Sequence, residues 1–318
     1  MGTKPNVISR RLIRLWRRSN HNSEVNMFDN IITRRDFMRQ TAYTALGAAV
    51  IGISFQNAPK TRVVLVRREN IWLSQSQLNQ TVVQEMLDEA VMALFNIDDP
   101  VKAFKMIIKP DDIVGIKTNQ WNMLPTPKEL ERAIEQRVID AGIKKENIGI
   151  ADWTARTLPV FKNSTALINV RPMRSHYWAG VGGCIKNYIN FDPTPSKYHP
   201  DSCADLALVW KLPIVAGKNR LNILSVLSPL YHGRGPNHFD QRYIWNYNGI
   251  IVGKDPVAVD SVGLRIIQAK RLDVFKETRD LETPPTHIVS ADKKHYLGTS
   301  DPAQIELIKL GWKEGILI

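Results

Sequence analysis

Residues 166–187 read ALINVRPMRSHYWAGVGGCIKN, an apolar strand followed by a histidine, a run of glycines and a lysine. His176 and Lys186 are ten residues apart, with three glycines between them at positions 180–183. Glycines let a backbone approach a ligand closely and aim its N–H groups at it. We interpret this stretch as the floor of a ligand site. The alternative is a turn between a strand and a helix, with Lys186 solvated and His176 acting as a cap.

Apolar strands alternate with helices on both sides of this stretch. Seven strands are predicted, at residues 62–67, 113–117, 147–151, 166–170, 221–226, 249–253 and 287–291. Their nearly continuous apolar runs are typical of strands that are buried on both faces of a sheet. The sequence therefore predicts an α/β fold over residues 61–318, with a largely parallel sheet flanked by helices, as one unit or as two lobes with a cleft.

Capping residues mark the predicted helix starts. The four starts are a capping box of Thr81 and Gln84, Thr126 with Pro127 and Glu129, Asp255 before Pro256, and Asp301 before Pro302. The second of these helices is predicted to end at Gly142. Asp260 lies one turn into the third, so it either faces solvent or is buried and paired.

Polar residues directly follow several of the strands. Lys117 and Asn119 follow one strand, Asp152 follows another, and the segment from His176 to Lys186 follows a third. Ligands bind at the carboxyl ends of strands in open α/β sheets, so all three segments could face one crevice. Lys117 and Asn119 are candidates for binding a substrate carboxylate or phosphate. Alternatively, Lys117 is only a charge at the end of a strand.

Several ordered blocks resemble the domain of unknown function 362 family. The similarity spans roughly residues 105–270. Its blocks are Lys117 and Asn119 in IKTNQ, Thr126-Pro127, the Lys186-Asn187 pair, and DPVAVD from Asp255 to Asp260. Several blocks in the same order are far more specific than one motif.

A looser similarity connects the central stretch with the nickel-dependent lactate racemases. Those enzymes have an H-x-x-A-G block followed, ten residues after its histidine, by a lysine that carries an organic cofactor. His176, Ala179, Gly180 and Lys186 match that spacing, and LPTP at 124–127 resembles an upstream block of those enzymes. This resemblance implies that His176 and Lys186 are catalytic.

The same resemblance implies a cofactor, either a transition metal of the nickel type or an anionic organic molecule. The residues implied to bind it are Gly180, Gly182, Gly183 and Lys186, with His199 as a metal ligand. The alternative for His199 is an exposed loop position. The racemases pair two catalytic histidines, whereas only His21 precedes His176 in this chain.

A glycine-proline loop lies further along the chain, between His232 and His238. We interpret it as a loop that closes over the site. Arg234 in this loop is a candidate for binding a substrate carboxylate, because a guanidinium group can donate two parallel hydrogen bonds to it.

The first 58 residues are interpreted as a leader. TRRDFMRQ at 33–40 resembles the twin-arginine export signal, and residues 40–59 carry no charge. This pattern predicts recognition by the twin-arginine translocase and a location outside the cytoplasm, in the periplasm or cell envelope. The alternative is an uncleaved leader that anchors the protein in the membrane. Met27 would begin a leader of the usual length.

The chain has a net charge of +12, but this charge is concentrated in the leader. The first 40 residues hold nine Lys/Arg against three Asp/Glu, which is half of the excess. With no recognisable nucleic-acid-binding motif, a nucleic-acid partner is not expected. The two cysteines, Cys184 and Cys203, cannot hold a four-cysteine iron–sulfur cluster, so none is expected. Outside the cytoplasm they could form a disulfide.

These features predict an exported enzyme that depends on a metal or an organic cofactor and acts on a small carboxylate-bearing substrate. Its reaction would resemble that of an isomerase or an oxidoreductase. The alternative is a ligand-binding or scaffolding protein that keeps the same fold without chemistry.

Overall fold

A computed structural model describes residues 59–276 and 280–318. The twin-arginine motif and the rest of the predicted leader, including Met27, lie outside the described residues. Residues 59–318 form one compact unit and not two lobes. Within the described ranges, no helix combines the length and the apolar character needed to span a membrane.

The strands of the described residues supply one large sheet and one small hairpin. They are β1 Thr61–Arg67, β2 Trp72–Ser74, β3 Gln77–Leu78, β4 Val114–Lys117, β5 Ile148–Ala151, β6 Ala166–His176, β7 Gly180–Gly182, β8 Asn219–Gly235, β9 Gly249–Gly253 and β10 Ile305–Gly311. The large sheet has the order β10-β1-β9-β8-β6-β4-β5, with β7 paired to β6, and β2 pairs with β3 in the hairpin.

The large sheet is mainly parallel. Neighbouring strands run parallel in the pairs β10–β1, β8–β6, β6–β4 and β4–β5. The strand β9 is antiparallel to both of its neighbours, and β7 is antiparallel to β6. The predicted α/β fold with a largely parallel sheet is therefore confirmed.

Helices flank the sheet. They are α1 Gln80–Phe95, α2 Pro100–Lys105, α3 Lys128–Asp140, α4 Pro159–Lys162, α5 Cys184–Asn187, α6 Pro200–Cys203, α7 Pro256–Phe275 and α8 Thr286–Lys293. Gly142, with φ +107°, follows the end of α3 close to its predicted end.

Two apolar clusters cover the two faces of the sheet. On β1, Val63 and Leu65 belong to the cluster that includes α7, whereas Val64 and Val66 belong to the cluster that includes α1. This division follows from the alternation of side chains along a strand. Each fully buried Val or Leu stabilises the fold by about 1.5–3 kcal/mol, so the two clusters fix both layers of helices on the sheet.

Two predicted helix caps are wrong. The helix α1 begins after Asn79, whose side-chain oxygen accepts hydrogen bonds from the N–H groups of Thr81 and Val82. Thr126 does not cap α3, because its hydroxyl oxygen accepts a hydrogen bond from the N–H of Asn119 at 3.0 Å. The helix α3 follows Pro127 and has no side-chain cap. A capping pattern in the sequence does not show that a loop competes for the same hydroxyl.

Two further predictions near the carboxyl terminus are wrong. Residues 287–291 lie in the helix α8 and not in a strand. Asp301 caps a single 3₁₀ turn at Pro302–Gln304, which leads into β10, and no α-helix begins there. The short apolar run at 287–291 fits a strand or a buried helix face equally well, and periodicity alone does not separate the two.

Asp255 caps α7 as predicted. One carboxylate oxygen accepts hydrogen bonds from the N–H groups of Val257 and Ala258, at 2.7 and 3.1 Å. The other oxygen accepts one from the N–H of Thr299 at 2.8 Å. The same carboxylate therefore begins the helix and holds the segment that leads to β10.

The two cysteines are not paired. Cys184 and Cys203 are both free and buried, so the disulfide considered from the sequence is not formed. Both thiols have a pKa raised by burial, which keeps them in the neutral form at neutral pH.

The two Asp-Pro motifs allow a matched test of capping. Asp255→Ala removes the acceptor of three N–H groups, and we expect a loss of about 1–3 kcal/mol in the free energy of unfolding. Asp301→Ala removes the acceptor of one exposed N–H group and should cost less than about 1 kcal/mol. Urea denaturation measures both values. Equal losses in the two variants would contradict the double role of Asp255.

Candidate active site

The strands β6 and β8 extend beyond the rest of the parallel sheet. The strand β4 pairs with β6 only as far as Asn169, whereas β6 continues along β8 to His176. Pro172 is tolerated in this extension because a proline suits positions that lack a ladder partner on one side. The extension carries Arg171, Arg174 and His176 past the carboxyl end of β4.

A cavity of about 210 Å³ lies at this edge. Its walls contain three tryptophans, three asparagines, two histidines and three cationic side chains. The lining residues are Asn119, Trp121, Trp153, Arg171, Arg174, His176, Trp178, Lys186, Asn187, Ile189, Asn190, Pro195, His199 and Pro236. No acidic residue is among these described lining residues. The cavity is therefore an electropositive pocket with flat apolar surfaces.

A buried carboxylate fixes the turn that carries Lys186. Asp260 of α7 accepts hydrogen bonds from the N–H groups of Cys184 and Ile185, at 2.6 and 2.9 Å. These N–H groups belong to the first turn of α5, where no intrahelical acceptor exists. A Cβ at Gly183 would overlap the Asp260 carboxylate, so only glycine fits there. Burial raises the pKa of Asp260 to about 7, although the two N–H groups lower it.

The amine of Lys186 has no partner. Its Nζ is buried and makes no hydrogen bond among the described residues. Burial lowers its pKa to about 8, and the charges of Arg171 and Arg174 also lower it, whereas Cys203 raises it. An unpaired buried ammonium group is costly. We therefore expect Lys186 either to lose its proton or to form an ion pair with an anion in the cavity.

Arg171 and Arg174 add two buried guanidinium groups to the wall. Arg171 donates to the carbonyl oxygen of Gly183 at 3.3 Å, and Arg174 donates to Oδ1 of Asn119 at 2.9 Å. The Nε atoms of both arginines have no partner among the described residues. Burial lowers the pKa of both groups, and for Arg174 the charge of Arg171 adds to this effect. Arg174 also stacks over Trp121, with Cζ 4.4 Å from the ring centroid.

His176 is a neutral imidazole with a defined tautomer. Its Nδ1 accepts a hydrogen bond from the N–H of Trp178 at 3.2 Å, which assigns the proton to Nε2. Burial lowers its pKa well below the usual value, and the charges of Lys186, Arg171 and Arg174 lower it further. His176 therefore offers an N–H donor to the cavity at neutral pH.

His199 also lines the cavity, stacked on Trp178 with ring centroids 4.4 Å apart and planes 8° from parallel. Burial and the charge of Lys186 lower its pKa. Among the described residues, no group of three or more His, Cys, Asp or Glu could hold a metal ion. The assignment of His199 as a metal ligand stays a prediction.

Lys117 does not line the cavity. Its ammonium group is fully buried and lies 2.5 Å from the carboxylate of Asp152. Burial lowers the pKa of Lys117 to about 8 despite this neighbour. Asp152 also accepts hydrogen bonds from the N–H of Gln120 and from Asn190, which lines the cavity. The pair thus supports the wall from behind the lining residues.

The remaining predicted binding residues have mixed positions. Asn119 lines the cavity and accepts from Arg174. The backbone of Arg234 lies in β8, and its side chain is outside what the structure describes. From the same loop, Pro236 lines the cavity. His232 is engaged elsewhere, 2.6 Å from Glu282.

The three glycines of the central stretch face protein atoms. A Cβ at Gly180, where φ is +71°, would overlap the carbonyl oxygen of Thr283. A Cβ at Gly182 would lie 3.0 Å from a guanidinium nitrogen of Arg171. Close packing thus explains Gly180, Gly182 and Gly183 without a ligand, and their cofactor-binding role stays a prediction.

Arg171, Arg174 and Asn187 also line the cavity and are not among the binding residues predicted from the sequence. Asn187 donates to the carbonyl oxygen of Lys117 and to Oδ1 of Asn169, while its own buried Oδ1 has no partner among the described residues. The signal was present in NVRPMRSH, where two arginines continue an apolar strand. A strand that is predicted to end at residue 170 leaves both arginines outside it, whereas β6 continues to His176.

Residues 137–265 match the family model described as Domain of unknown function (DUF362). The match runs from α3 into α7 and includes β6, the turn of Lys186 and Asp260. It supports the assignment of this part of the chain to the DUF362 family. No curated protein and no solved structure matched the chain significantly.

A double-mutant cycle tests the contact between Gly183 and Asp260. Gly183→Ala alone should cost about 1–3 kcal/mol of unfolding free energy, because the new methyl group meets the carboxylate. In an Asp260→Ala background the added cost should fall by at least about 1 kcal/mol. Urea denaturation of the four proteins gives the coupling.

Gly217→Ala is the control for this cycle. A Cβ at Gly217 meets no atom within 4 Å, although φ there is +71°, so its cost should be the same in both backgrounds. Additive costs for Gly183→Ala and Asp260→Ala would contradict the proposed packing.

Proposed function

We propose that this protein is an exported enzyme that binds a small carboxylate-bearing substrate in the cavity at the carboxyl edge of the sheet. The observation that carries the proposal is the buried amine of Lys186, which has no partner and shares a wall with Arg171 and Arg174. A carboxylate would supply a hydrogen-bond acceptor for the amine of Lys186 and for the unpaired Nε–H groups of the two arginines.

The size and shape of the cavity suit a small molecule with a flat apolar part. Pockets for drug-sized ligands generally have volumes of about 300–1,000 Å³, and this cavity, at about 210 Å³, is smaller. Trp121 and Trp178 provide flat surfaces, and the unpaired Oδ1 of Asn187 provides an acceptor for a hydroxyl group. These features favour a short hydroxy or oxo acid over a large ligand.

Two side chains would take part in the chemistry. Lys186 is the candidate nucleophile or anion clamp, because burial favours its neutral form. His176 would donate a hydrogen bond from Nε2 to an oxygen atom of the substrate. The alternative is a binding protein without chemistry, for which the arginines alone would be sufficient.

The lining residues fit an anionic organic cofactor better than a bare metal ion. Lys186, Arg171 and Arg174 would hold such a cofactor by its charge, and the cofactor would supply redox or isomerisation chemistry. The same three cations would repel a divalent metal ion. We therefore propose that a nickel-type metal, if bound, enters only together with an anionic organic ligand, next to His199.

Titration with small carboxylates tests the proposed binding. We expect the protein to bind pyruvate and lactate and not the matched amides, by calorimetry. Arg171→Gln and Arg174→Gln should each weaken binding by about 1.5–3 kcal/mol, roughly 10–100-fold, because each removes a charged donor. Arg156→Gln, at an exposed position, is the control. Equal binding of acids and amides would contradict the proposal.

Export is tested separately. The twin-arginine translocase would read the arginine pair, so replacing Arg34 and Arg35 with lysine should keep the protein in the cytoplasm. Deletion of residues 1–26 should leave export intact. Cell fractionation with immunoblotting measures both outcomes, and continued export of the double-lysine variant would contradict the signal assignment.

A further inference from the structure

The chemical state of Lys186 limits what it can do. Its Nζ is buried and no described group balances a positive charge on it. Burial is the main cause that lowers the pKa of Lys186 and so disfavours the ammonium form; Cys203 acts in the opposite direction, and Arg171 and Arg174 add to the lowering. A neutral primary amine is a nucleophile, whereas an ammonium group is not. With a pKa of about 8, a small fraction of the Lys186 amine is neutral at neutral pH, far more than at an exposed lysine.

The arginines determine which electrophile reaches this amine. Arg171 and Arg174 line the same cavity as Lys186, and their Nε–H groups are unpaired among the described residues. A carboxylate held by these donors would leave the adjacent carbon atom inside the cavity. A carbonyl group at that carbon is the electrophile with which a primary amine condenses.

We propose that Lys186 condenses with the carbonyl group of a small 2-oxo acid to form an imine, while Arg171 and Arg174 hold the carboxylate. This inference rests on the proposed function, since it requires carboxylate binding in the same cavity. It defines the substrate class more narrowly, as a 2-oxo acid and not a carboxylate of any kind.

The condensation balances without an oxidant, a reductant or a metal. The lone pair of Nζ attacks the carbonyl carbon, the π electrons move to oxygen, and one amine proton moves to that oxygen. The resulting carbinolamine loses its hydroxyl group together with the second amine proton as water, and the C=N bond forms. Hydrolysis reverses the same steps.

Two groups of the cavity could form hydrogen bonds with the carbonyl oxygen as it becomes the hydroxyl group of the carbinolamine. His176 carries its proton on Nε2, because Nδ1 accepts from the N–H of Trp178, so it can donate to the carbonyl oxygen and polarise it. The buried Oδ1 of Asn187 has no donor among the described residues. It can accept the hydroxyl hydrogen of the carbinolamine.

Reductive trapping of the full chain tests the imine. The protein is incubated with pyruvate and cyanoborohydride, and we expect one carboxyethyl group per chain, located on Lys186 by peptide mapping. The reaction at Lys186 should exceed that at an exposed lysine on the order of 10²-fold, because more of its amine is neutral. Lys186→Arg should lose the adduct, whereas Lys211→Arg, at an exposed position, should keep it.

The outcomes separate the imine from carboxylate binding. An adduct spread over surface lysines and unchanged in Lys186→Arg overturns the imine. Binding of lactate and pyruvate by calorimetry without trapping also overturns the imine, while the proposed carboxylate site stands. Failure of both acids to bind overturns the proposed function as well. Mapping of the adduct in the unmodified sequence gives the result even if Lys186→Arg does not fold.

Discussion

The contact between Asp260 and the turn at Gly183 is the constraint on which the site depends. Asp260 is buried on α7 and binds the two N–H groups that begin α5. The short helix therefore lies against α7, and Lys186 is the residue directly after the second bonded N–H group, that of Ile185. A Cβ at position 183 would overlap the Asp260 carboxylate. Because glycine has no Cβ, the backbone can approach the carboxylate closely enough for both hydrogen bonds. A helix of four residues would not be stable without such a tertiary contact.

Charge is distributed unevenly around this turn. The carboxylates of Asp152 and Asp260 are engaged behind the wall, by Lys117 and by backbone N–H groups. The cavity itself is left with Lys186 and two arginines, so its potential is positive although buried acids lie nearby. The buried pair of Lys117 and Asp152 contributes structure and little net charge. Lys117, which is paired with Asp152, therefore supports the wall, whereas Lys186 and the two arginines are candidates for binding a ligand.

Part of this structure could be predicted from the sequence, because apolar strand runs and Asp-Pro caps are local signals. Six of the seven predicted strands and the Asp255 cap follow from such signals, and so does the placing of His176, Lys186 and Asn119 at the carboxyl edge. The hydroxyl of Thr126 bonds to Asn119 within the loop that precedes α3, a contact that a capping pattern does not encode. The pairing of Lys117 with Asp152 is set by the sheet order. The extension of β6 to His176 depends on pairing with β8. The sequence of β6 alone does not contain that information.

The central claim is that the buried amine of Lys186 has no partner among the described residues and that the carboxylate of a ligand pairs with it. It is tested most directly by ¹⁵N NMR titration of the lysine amines, with the Lys186 signal assigned by its loss in Lys186→Arg. We expect a pKa of about 8 for Lys186, lowered from 10.5 by burial and by Arg171 and Arg174. Saturation with lactate, which has no carbonyl group to form an imine, should raise this pKa, because the bound anion stabilises the ammonium form. A pKa near 10.5 that lactate leaves unchanged would contradict the account.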